Sequence, residues 1–392
     1  MTEKVEYTIE KRSFKLYNIT MKIAVFGGSF DPLHKEHMRI IDEAITTLKM
    51  DRVVLVPTYN PPHKGGSSVP YEHRVNMLKI FASTRSKVVV DEIERQLSLE
   101  KSYAYIVLAE LKKRYPTDDL YYIIGSDSLR KFDSWACPKK ILKSVTIIAI
   151  TRGSDDGIEE LAEHYSQKYG GKIIVGFGAE EESSSNVRLM LELGRLNELE
   201  GRVHHGILEY IVKNNLYSRY KDMLTKLKST LSERTYNHSL RTAEWAVENA
   251  WRVWADYDKA LTAGLLHDCA KGMAPLKAVE EYDTPSLEVI HQYDGALIAR
   301  REYGVVDHEV LDAIRYHTTA KPNFSPLGKL IFLADKLEKG RKYPSVDILR
   351  KAVEEGIDEG FKMVLKHNVE YLRNEGKEID LLTLRAYEWY NK

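Results

Sequence analysis

Residues 21–37, "MKIAVFGGSFDPLHKEH", pass from an apolar, strand-sized run through two glycines to a pair of histidines, His34 and His37. Glycines directly after a strand let the backbone approach a ligand closely. A helix opening just beyond them presents free N–H groups and the positive end of its dipole, a setting suited to phosphate. Three residues apart in a first helical turn, the two imidazoles point the same way. There they can donate hydrogen bonds to phosphate oxygens that gain charge during a reaction. The same spacing also fits a loop with two exposed histidines. A zinc site is the weaker reading, because the pair supplies only two ligands.

Working outward, "KIAVF" (22–26) is the first of six strand candidates. The others are "RVVLV" (52–56), "KVVV" (87–90), "LYYII" (120–124), "VTIIAI" (145–150) and "KIIVG" (172–176). Amphipathic stretches at 35–49, 71–83 and 103–115 lie between them. Continuous apolar strands alternating with helices predict a doubly wound α/β fold, a parallel sheet covered on both faces. Ligands in such sheets sit beyond the carboxyl ends of the strands, which is where the opening motif falls. After "NNLYSRYKD" the strand pattern stops. Residues 222–392 show i, i+3, i+4 apolar spacing, as in "SLRTAEWAVENAWRVWA" and "LGKLIFLADKL", and predict an all-α domain. The expected organisation is an extension at 1–20, an α/β domain at 21–217 and a helical domain at 222–392.

The 392 residues suffice for two or three cores. Lys plus Arg and Asp plus Glu each number 58, which argues against duplex nucleic acid or an anionic membrane as a bulk partner. No apolar run approaches the ~18 residues of a membrane helix. The first twenty residues are charged throughout and lack a secretory signal's apolar core. Two cysteines, Cys137 and Cys269, build no disulfide framework, and a reducing cytoplasm is the expected setting. A homo-oligomer is compatible with all of this.

"GGSFDPLHKEH" resembles the G-x-F-D-P-x-H-x-G-H signature of the nucleotidylyltransferase superfamily. Further segments resemble one branch of it, the bacterial nicotinate mononucleotide adenylyltransferases. They are "VPTYNPPHK" (56–64), "EHRVNML" (72–78), "SYAY" (102–105), "IIGSDSLRKFDSW" (123–135), "SSSNVR" (183–188) and "ILEYIVKNNLY" (207–217), in order. The resemblance implies ATP over Gly27, Gly28, Ser29 and Phe30, with His34 and His37 on its phosphates. "SSSNVR" would make a helix N-terminus at which Ser184, Ser185 and Arg188 hold triphosphate oxygens. Lys64 would add charge near the leaving pyrophosphate, Gly125 and Asp127 would face a ribose or a metal-bound phosphate, and Arg152 would lie near the nucleotide. Ser102, Tyr103 and Trp135 would form the pyridine-nucleotide side, Trp135 offering a flat face or else packing as a core ring. Mg²⁺ would arrive on ATP, held by phosphate oxygens and water. Glu36 stands where the family has glycine, and Ala104 where a threonine is common.

The helical half carries His238, the pair His267-Asp268, His291, His317 and Asp335, at gaps of 29, 24, 26 and 18 residues. Any one of these fits a satisfied core residue. All sit in or beside apolar helical faces, where an unpaired ionisable group is costly. Imidazole with carboxylate suits Fe, Mn, Co or Zn better than Ca or Mg. The order H…HD…H…H…D resembles the HD-domain phosphohydrolases. "RTYNHSLRTAEWA", "AGLLHDCAK", "AIRYHTTAKP" and "LIFLADKLEKGRKYPSV" resemble their bacterial branch of symmetrical diadenosine tetraphosphate hydrolases. That resemblance implies one divalent metal on His238, His267, Asp268 and Asp335, and a second on His291, His317 and shared Asp268, iron foremost. Lys271 and Arg341 are candidates for phosphate contacts or else solvated surface charges. Asp294, in "HQYDGA", replaces the usual "HGPVGA".

The two halves together imply a bifunctional enzyme. One activity would join ATP and nicotinate mononucleotide, with His34, His37 and Arg188 acting on the phosphates. The other would cut diadenosine tetraphosphate, with Asp268 central. Two alternatives for the helical half stay open: another nucleotide or phosphoester substrate, or a regulatory nucleotide-binding module.

Overall fold

The computed structural model describes residues 20–60, 69–98, 103–152, 156–179, 182–276 and 287–392. Residues 1–19, Lys64 and Ser102 therefore lie outside the described residues, and for Arg152 only the main chain is described. The described chain forms two compact units. One comprises residues up to 188 together with 196–216; the other comprises 189–195 and everything from 217 onward.

In the first unit all six predicted strands form, as β1 Lys22–Gly28, β2 Arg52–Pro57, β3 Val88–Val90, β4 Asp119–Gly125, β5 Thr146–Arg152 and β6 Ile173–Ala179. They pair in parallel in the order β3-β2-β1-β4-β5-β6. Parallel strands need crossover helices on the faces, which explains why these strands read as unbroken apolar runs rather than alternating ones. Ile23, Val25, Val54, Ile124, Ile147 and Ala149 are 6% exposed or less and belong to one core. The strand order reverses between β1 and β4, and at such a switch point a crevice opens beyond the strand ends. Helices Lys35–Thr46 and Ser126–Arg130 follow those two strands directly. Gly125 makes the second turn tight, since an added Cβ would sit 2.4 Å from Asp127 Oδ1.

The described residues of the second unit carry helices and no strand, as the 3.6-residue periodicity predicts. Short polar side chains start the helices that matter for the site, each satisfying an otherwise orphaned N–H. Ser232 Oγ accepts from Thr235 N to open Glu233–Asn249, and Asp256 accepts from Asp258 N and Lys259 N to open Tyr257–Leu266. Asp307 caps His308–Arg315, and Ser325 with Pro326 at the first helical position caps Pro326–Leu337. Gly264 sets how near two of these helices come: a Cβ there would lie 2.5 Å from Ala243 Cα. That approach brings the helix bearing His238 against the end of the helix that delivers His267. Among the described residues, no helix is long and apolar enough to cross a membrane.

Candidate active sites

The crevice of the first unit has a volume of about 370 Å³. It is lined by Gly27, His34 and His37 from the opening motif, Gly125, Asp127 and Trp135 from the β4 side, and Ser183, Ser184 and Ser185 at a helix start. The imidazoles of His34 and His37 face each other with ring centroids 3.8 Å apart. His34 caps Lys35–Thr46, and its N–H donates to His37 Nδ1 at 3.3 Å, so the pair is fixed by the helix start itself. Across from them Ser183 Oγ accepts from Asn186 N, opening helix Ser184–Glu192 toward the cleft. Arg188, one turn in, donates to the Asp31 carbonyl at 2.7 Å and to Ser185 Oγ at 2.9 Å. Its guanidinium is thereby tied to the histidine-bearing loop.

Three expected residues take up positions that limit what they can offer. Phe30 is 1% exposed, edge-on to Phe26 and His37, so its ring belongs to the loop's core and its main chain is what remains for a ligand. Trp135 is both wall and core: it lines the cleft while packing on Phe132 at 5.5 Å. Tyr103 is not among the residues lining this cleft and is 41% exposed.

Two further residues, Arg74 and Glu182, shape the crevice without having been singled out in the sequence, and a third, Glu36, was noted there only as a departure from the family. Arg74 is 2% exposed and donates to the Ser29 carbonyl and the Thr58 carbonyl, each at 2.8 Å, so it clamps the loop after β1 to the end of β2. The "EHRVNML" motif contains it, but its partners lie 45 and 16 residues away. Glu182 also lines the cleft; burial works to raise its pKa, and Arg202 at 2.7 Å outweighs that, holding it below the usual carboxylate value. Glu36, 4% exposed, turns its carboxylate onto Arg39 at 3.1 Å, so the charge standing in glycine's place is paired.

In the second unit the six predicted ligands converge. Asp268 is wholly buried. Its Oδ1 lies 3.4 Å from both His291 Nε2 and His317 Nε2, while Oδ2 lies 3.5 Å from His267 Nε2 and 3.9 Å from His238 Nε2. Asp335 Oδ1 lies 2.9 Å from His238 Nε2 and 3.8 Å from His267 Nε2. Two groups of side chains able to hold a metal ion follow, His238-His267-Asp268 and Asp268-His291-His317. The donor chemistry fits such ions. His267, His291 and His317 each direct Nδ1 to the carbonyl three residues earlier, at 2.8 Å in all three cases. A carbonyl accepts, so Nδ1 carries the proton and each Nε2 turns its lone pair inward, the usual outer support of metal-binding histidine.

His238 is supported differently, by the Glu338 carboxylate 3.1 Å from Nδ1. Glu338 in turn accepts from Arg241 at 2.6 Å. Burial pushes the Glu338 pKa up, but these two partners prevail and bring it down to about 2. Burial likewise opposes ionisation of Asp268, and the surrounding imidazoles hold it well below the carboxylate range. For Asp335, burial is outweighed by Lys336, His238 and Arg341. Burial pushes His317 down to about 4, which keeps the ring neutral and available as a donor. Lys271 Nζ reaches Asp268 Oδ2 at 2.8 Å and Arg341 Nη2 reaches Asp335 Oδ1 at 2.6 Å, placing both expected cations at the cluster's rim.

Glu338 had a legible signal, lying three residues after Asp335 in "ADKLEKG". Gln292 had none beyond its polarity. It is wholly buried, and its Oε1 accepts from Thr318 N at 3.1 Å and Thr319 N at 3.3 Å, locking the turn after His317 to the helix of His291. Asp294 is 4% exposed and accepts from Leu276 N at 3.1 Å; burial raises its pKa, and it joins neither metal group.

A parallel sheet with a histidine pair and a helix N-terminus at its switch point, followed by a helical His/Asp cluster, defines a nucleotidyltransferase-type domain joined to an HD domain. Family models agree: residues 25–190 match the cytidylyltransferase-like family and residues 235–340 the HD domain. A Carboxydothermus hydrogenoformans protein named "Probable nicotinate-nucleotide adenylyltransferase" is 33% identical over 203 residues, 50% of this chain and 98% of its own length. A Mycoplasma genitalium protein named "Probable nicotinate-nucleotide adenylyltransferase/Ap4A hydrolase" is 27% identical over 360 residues, 88% of this chain and 97% of its own. A solved structure described as a predicted HD superfamily hydrolase involved in NAD metabolism, from Clostridium acetobutylicum, is 33% identical and covers 44% of this chain and 96% of its own, with a TM-score of 0.41. The chain belongs to the nicotinate-nucleotide adenylyltransferase family and carries an HD domain behind that portion.

Proposed function

We propose that the chain is a bifunctional enzyme. Residues 21–217 transfer the adenylyl group of ATP to nicotinate mononucleotide, giving deamido-NAD and pyrophosphate. Residues 222–392 hydrolyse diadenosine tetraphosphate symmetrically to two ADP.

The observation that carries the first activity is the facing of two fixed imidazoles and Arg188 across a helix N-terminus. The mononucleotide phosphate attacks the α-phosphorus in line, the bond to the bridging oxygen breaks, and pyrophosphate departs. His34 and His37 donate hydrogen bonds to oxygens that gain charge, and the amides after Ser183 with Arg188 hold the triphosphate. Gly27, Gly28, Ser29 and the main chain of Phe30 form the floor, and Asp127 and Gly125 take the ribose side. Trp135 stacks on the pyridine ring. Lys64, Arg152, Ser102 and Tyr103 keep, on sequence grounds, the roles the resemblance implies. Mg²⁺ enters with ATP.

The observation that carries the second activity is Asp268, whose two oxygens face separate imidazole pairs. Two transition-metal ions held there, iron foremost with manganese, cobalt or zinc as substitutes, would supply an activated water and positive charge against phosphate oxygens. The protein's part is to hold that site with the six buried or half-buried ligands and to gather phosphates with Lys271 and Arg341. A cytoplasmic setting, where ATP is available and both cysteines stay free, fits the reading.

The test is product analysis on metal-stripped protein given diadenosine tetraphosphate and then Fe²⁺, Mn²⁺ or Mg²⁺. Two ADP per substrate, formed only with added metal, is the expected result. No cleavage with any ion, while ATP and nicotinate mononucleotide still react, would sink the hydrolase half and keep the transferase half.

A further inference from the structure

Glu182 stands immediately before the serines that open helix Ser184–Glu192, and it lines the first unit's crevice together with His34, His37 and Asp127. A bare carboxylate at that place would repel a triphosphate, and like charges repel more strongly in a half-dry cleft than in water. The carboxylate is not left bare. Arg202 Nε donates to Glu182 Oε2 at 2.7 Å and Arg202 Nη2 donates to Oε1 at 2.9 Å, a two-pronged fork. Ser183 N donates to the same Oε1 at 3.2 Å. The fork therefore holds the residue that leads into the triphosphate helix.

The main chain of Arg202 holds the opposite wall. Its carbonyl accepts from Lys35 N at 2.6 Å. Lys35 is the first residue of the helix that His34 caps and that carries His37, and a helix start leaves such N–H groups without an internal partner. Arg202 is itself anchored, since its N–H and that of Val203 both donate to the Leu199 carbonyl at 3.0 Å, with Val203 2% exposed. One residue thus grips both the start of the histidine helix and the approach to the serine helix.

We propose that Arg202 is a positioning residue for adenylyl transfer: it turns the Glu182 carboxylate away from the triphosphate and keeps Ser183–Arg188 in register with His34 and His37. This rests on the adenylyltransferase reading for what fills the crevice. The groups that face Glu182 are Arg202, the Ser183 N–H and His34, with His37 and Asp127 sharing the crevice and Glu36 paired to Arg39. Burial opposes ionisation of Glu182, and Arg202 is the main counterweight. Without Arg202 the carboxyl would be harder to ionise, so lowering the pH would remove its charge.

The experiment measures KM and kcat for ATP at saturating nicotinate mononucleotide in the full-length protein, Arg202→Ala, Arg202→Lys and the double variant Arg202→Ala/Glu182→Gln. Arg202→Ala is expected to raise KM roughly ten-fold at pH about 8, with kcat within about three-fold. The double variant should recover most of that rise, and Arg202→Lys, which keeps a cation, should lose only a few-fold. The excess KM of Arg202→Ala over the double variant should shrink as pH falls to about 5.5, because a proton on Glu182 removes the same charge. An unchanged KM in Arg202→Ala overturns the proposal. So does a double variant as impaired as the single one with an excess that ignores pH, which would mark a merely structural loss. If the unsubstituted chain formed no deamido-NAD, the transferase reading would fall on its own. Calorimetric titration of the four chelated proteins with inorganic tripolyphosphate would then decide: the same ranking upholds the role of Arg202, and equal affinities overturn it.

Discussion

Asp268 turns each carboxylate oxygen to a different pair of imidazoles, a division of labour that neither asparagine nor alanine reproduces. Asp268→Ala is expected to lower hydrolysis of diadenosine tetraphosphate by at least 10³-fold and to cut bound metal below one ion per chain, since both groups lose a shared ligand. Adenylyl transfer in the same preparation should be unchanged; loss of both activities from a folded protein would refute independent sites. In chelated protein the buried rings also set a pH profile. His317 has a pKa pushed down to about 4 by burial, below the ~6.5 of the unfolded chain. Its contribution is therefore fully present above about pH 6.5 and lost as pH falls toward 4, by roughly 3 kcal/mol at most. His238 is raised despite burial, through Asp335 and Glu338, so its contribution is complete below its unfolded value and disappears at higher pH. Urea midpoints of chelated His317→Asn should have a shallower slope than the unsubstituted protein between pH 6.5 and 4; parallel slopes would remove His317 as the cause. The clustering of the four histidines was legible in the sequence because ionisable residues on apolar faces need an explanation. Arg74 and Gln292 were not, because what they hold lies far along the chain and only the fold brings it near.

At the scale of elements, the six strands were legible because a sheet covered on both faces fills the middle of its strands with apolar residues, and their ends differ from the expected ones by two residues at most, save for β6, which runs on to Ala179. Helix contacts were less so. The approach that brings His238 beside His267 depends on Gly264, which in sequence reads as one small residue among "LTAGLL". Gly264→Ala is expected to destabilise the second unit by about 1–3 kcal/mol through overpacking against the Ala243 backbone, and to weaken metal binding as the helices part. Thermal unfolding and metal content together check this; a stability loss with full metal occupancy would show that the ligands tolerate the shift. The opening motif makes the converse case. Glu36, one helical position before His37, is paired with Arg39 on the next turn, which leaves the phosphate side of the cleft without a bare carboxylate. Arg39→Ala should raise KM for ATP several-fold, and Glu36→Gln in the same chain should reverse most of that rise. Additive effects of the two substitutions would show that Arg39 acts elsewhere.

For the whole molecule, two cores with separate ligand chemistries predict that each responds to its own ligand. Burial of Asp268, Asp335 and three imidazoles in the second unit, with His291 half-buried beside them, concentrates negative charge and lone pairs that a divalent ion relieves. Ligand bound only to the native state stabilises by RT ln(1 + [L]/Kd), about 4 kcal/mol at a thousand-fold excess over Kd. Chelation should therefore lower the unfolding temperature of the second unit by several degrees, and Mn²⁺ or Fe²⁺ should restore it, whereas a non-hydrolysable ATP analogue should raise only the transition of the first. Scanning calorimetry distinguishes the cases, with Asp268→Ala identifying the metal-sensitive transition because it should be insensitive to chelator from the start. If chelator moved both transitions together, or the chain melted in a single step shifted equally by metal and by the ATP analogue, the two units would form one cooperative structure. Independence of the two activities would then have to be abandoned, and adenylyl transfer would be expected to follow the metal content of the helical half.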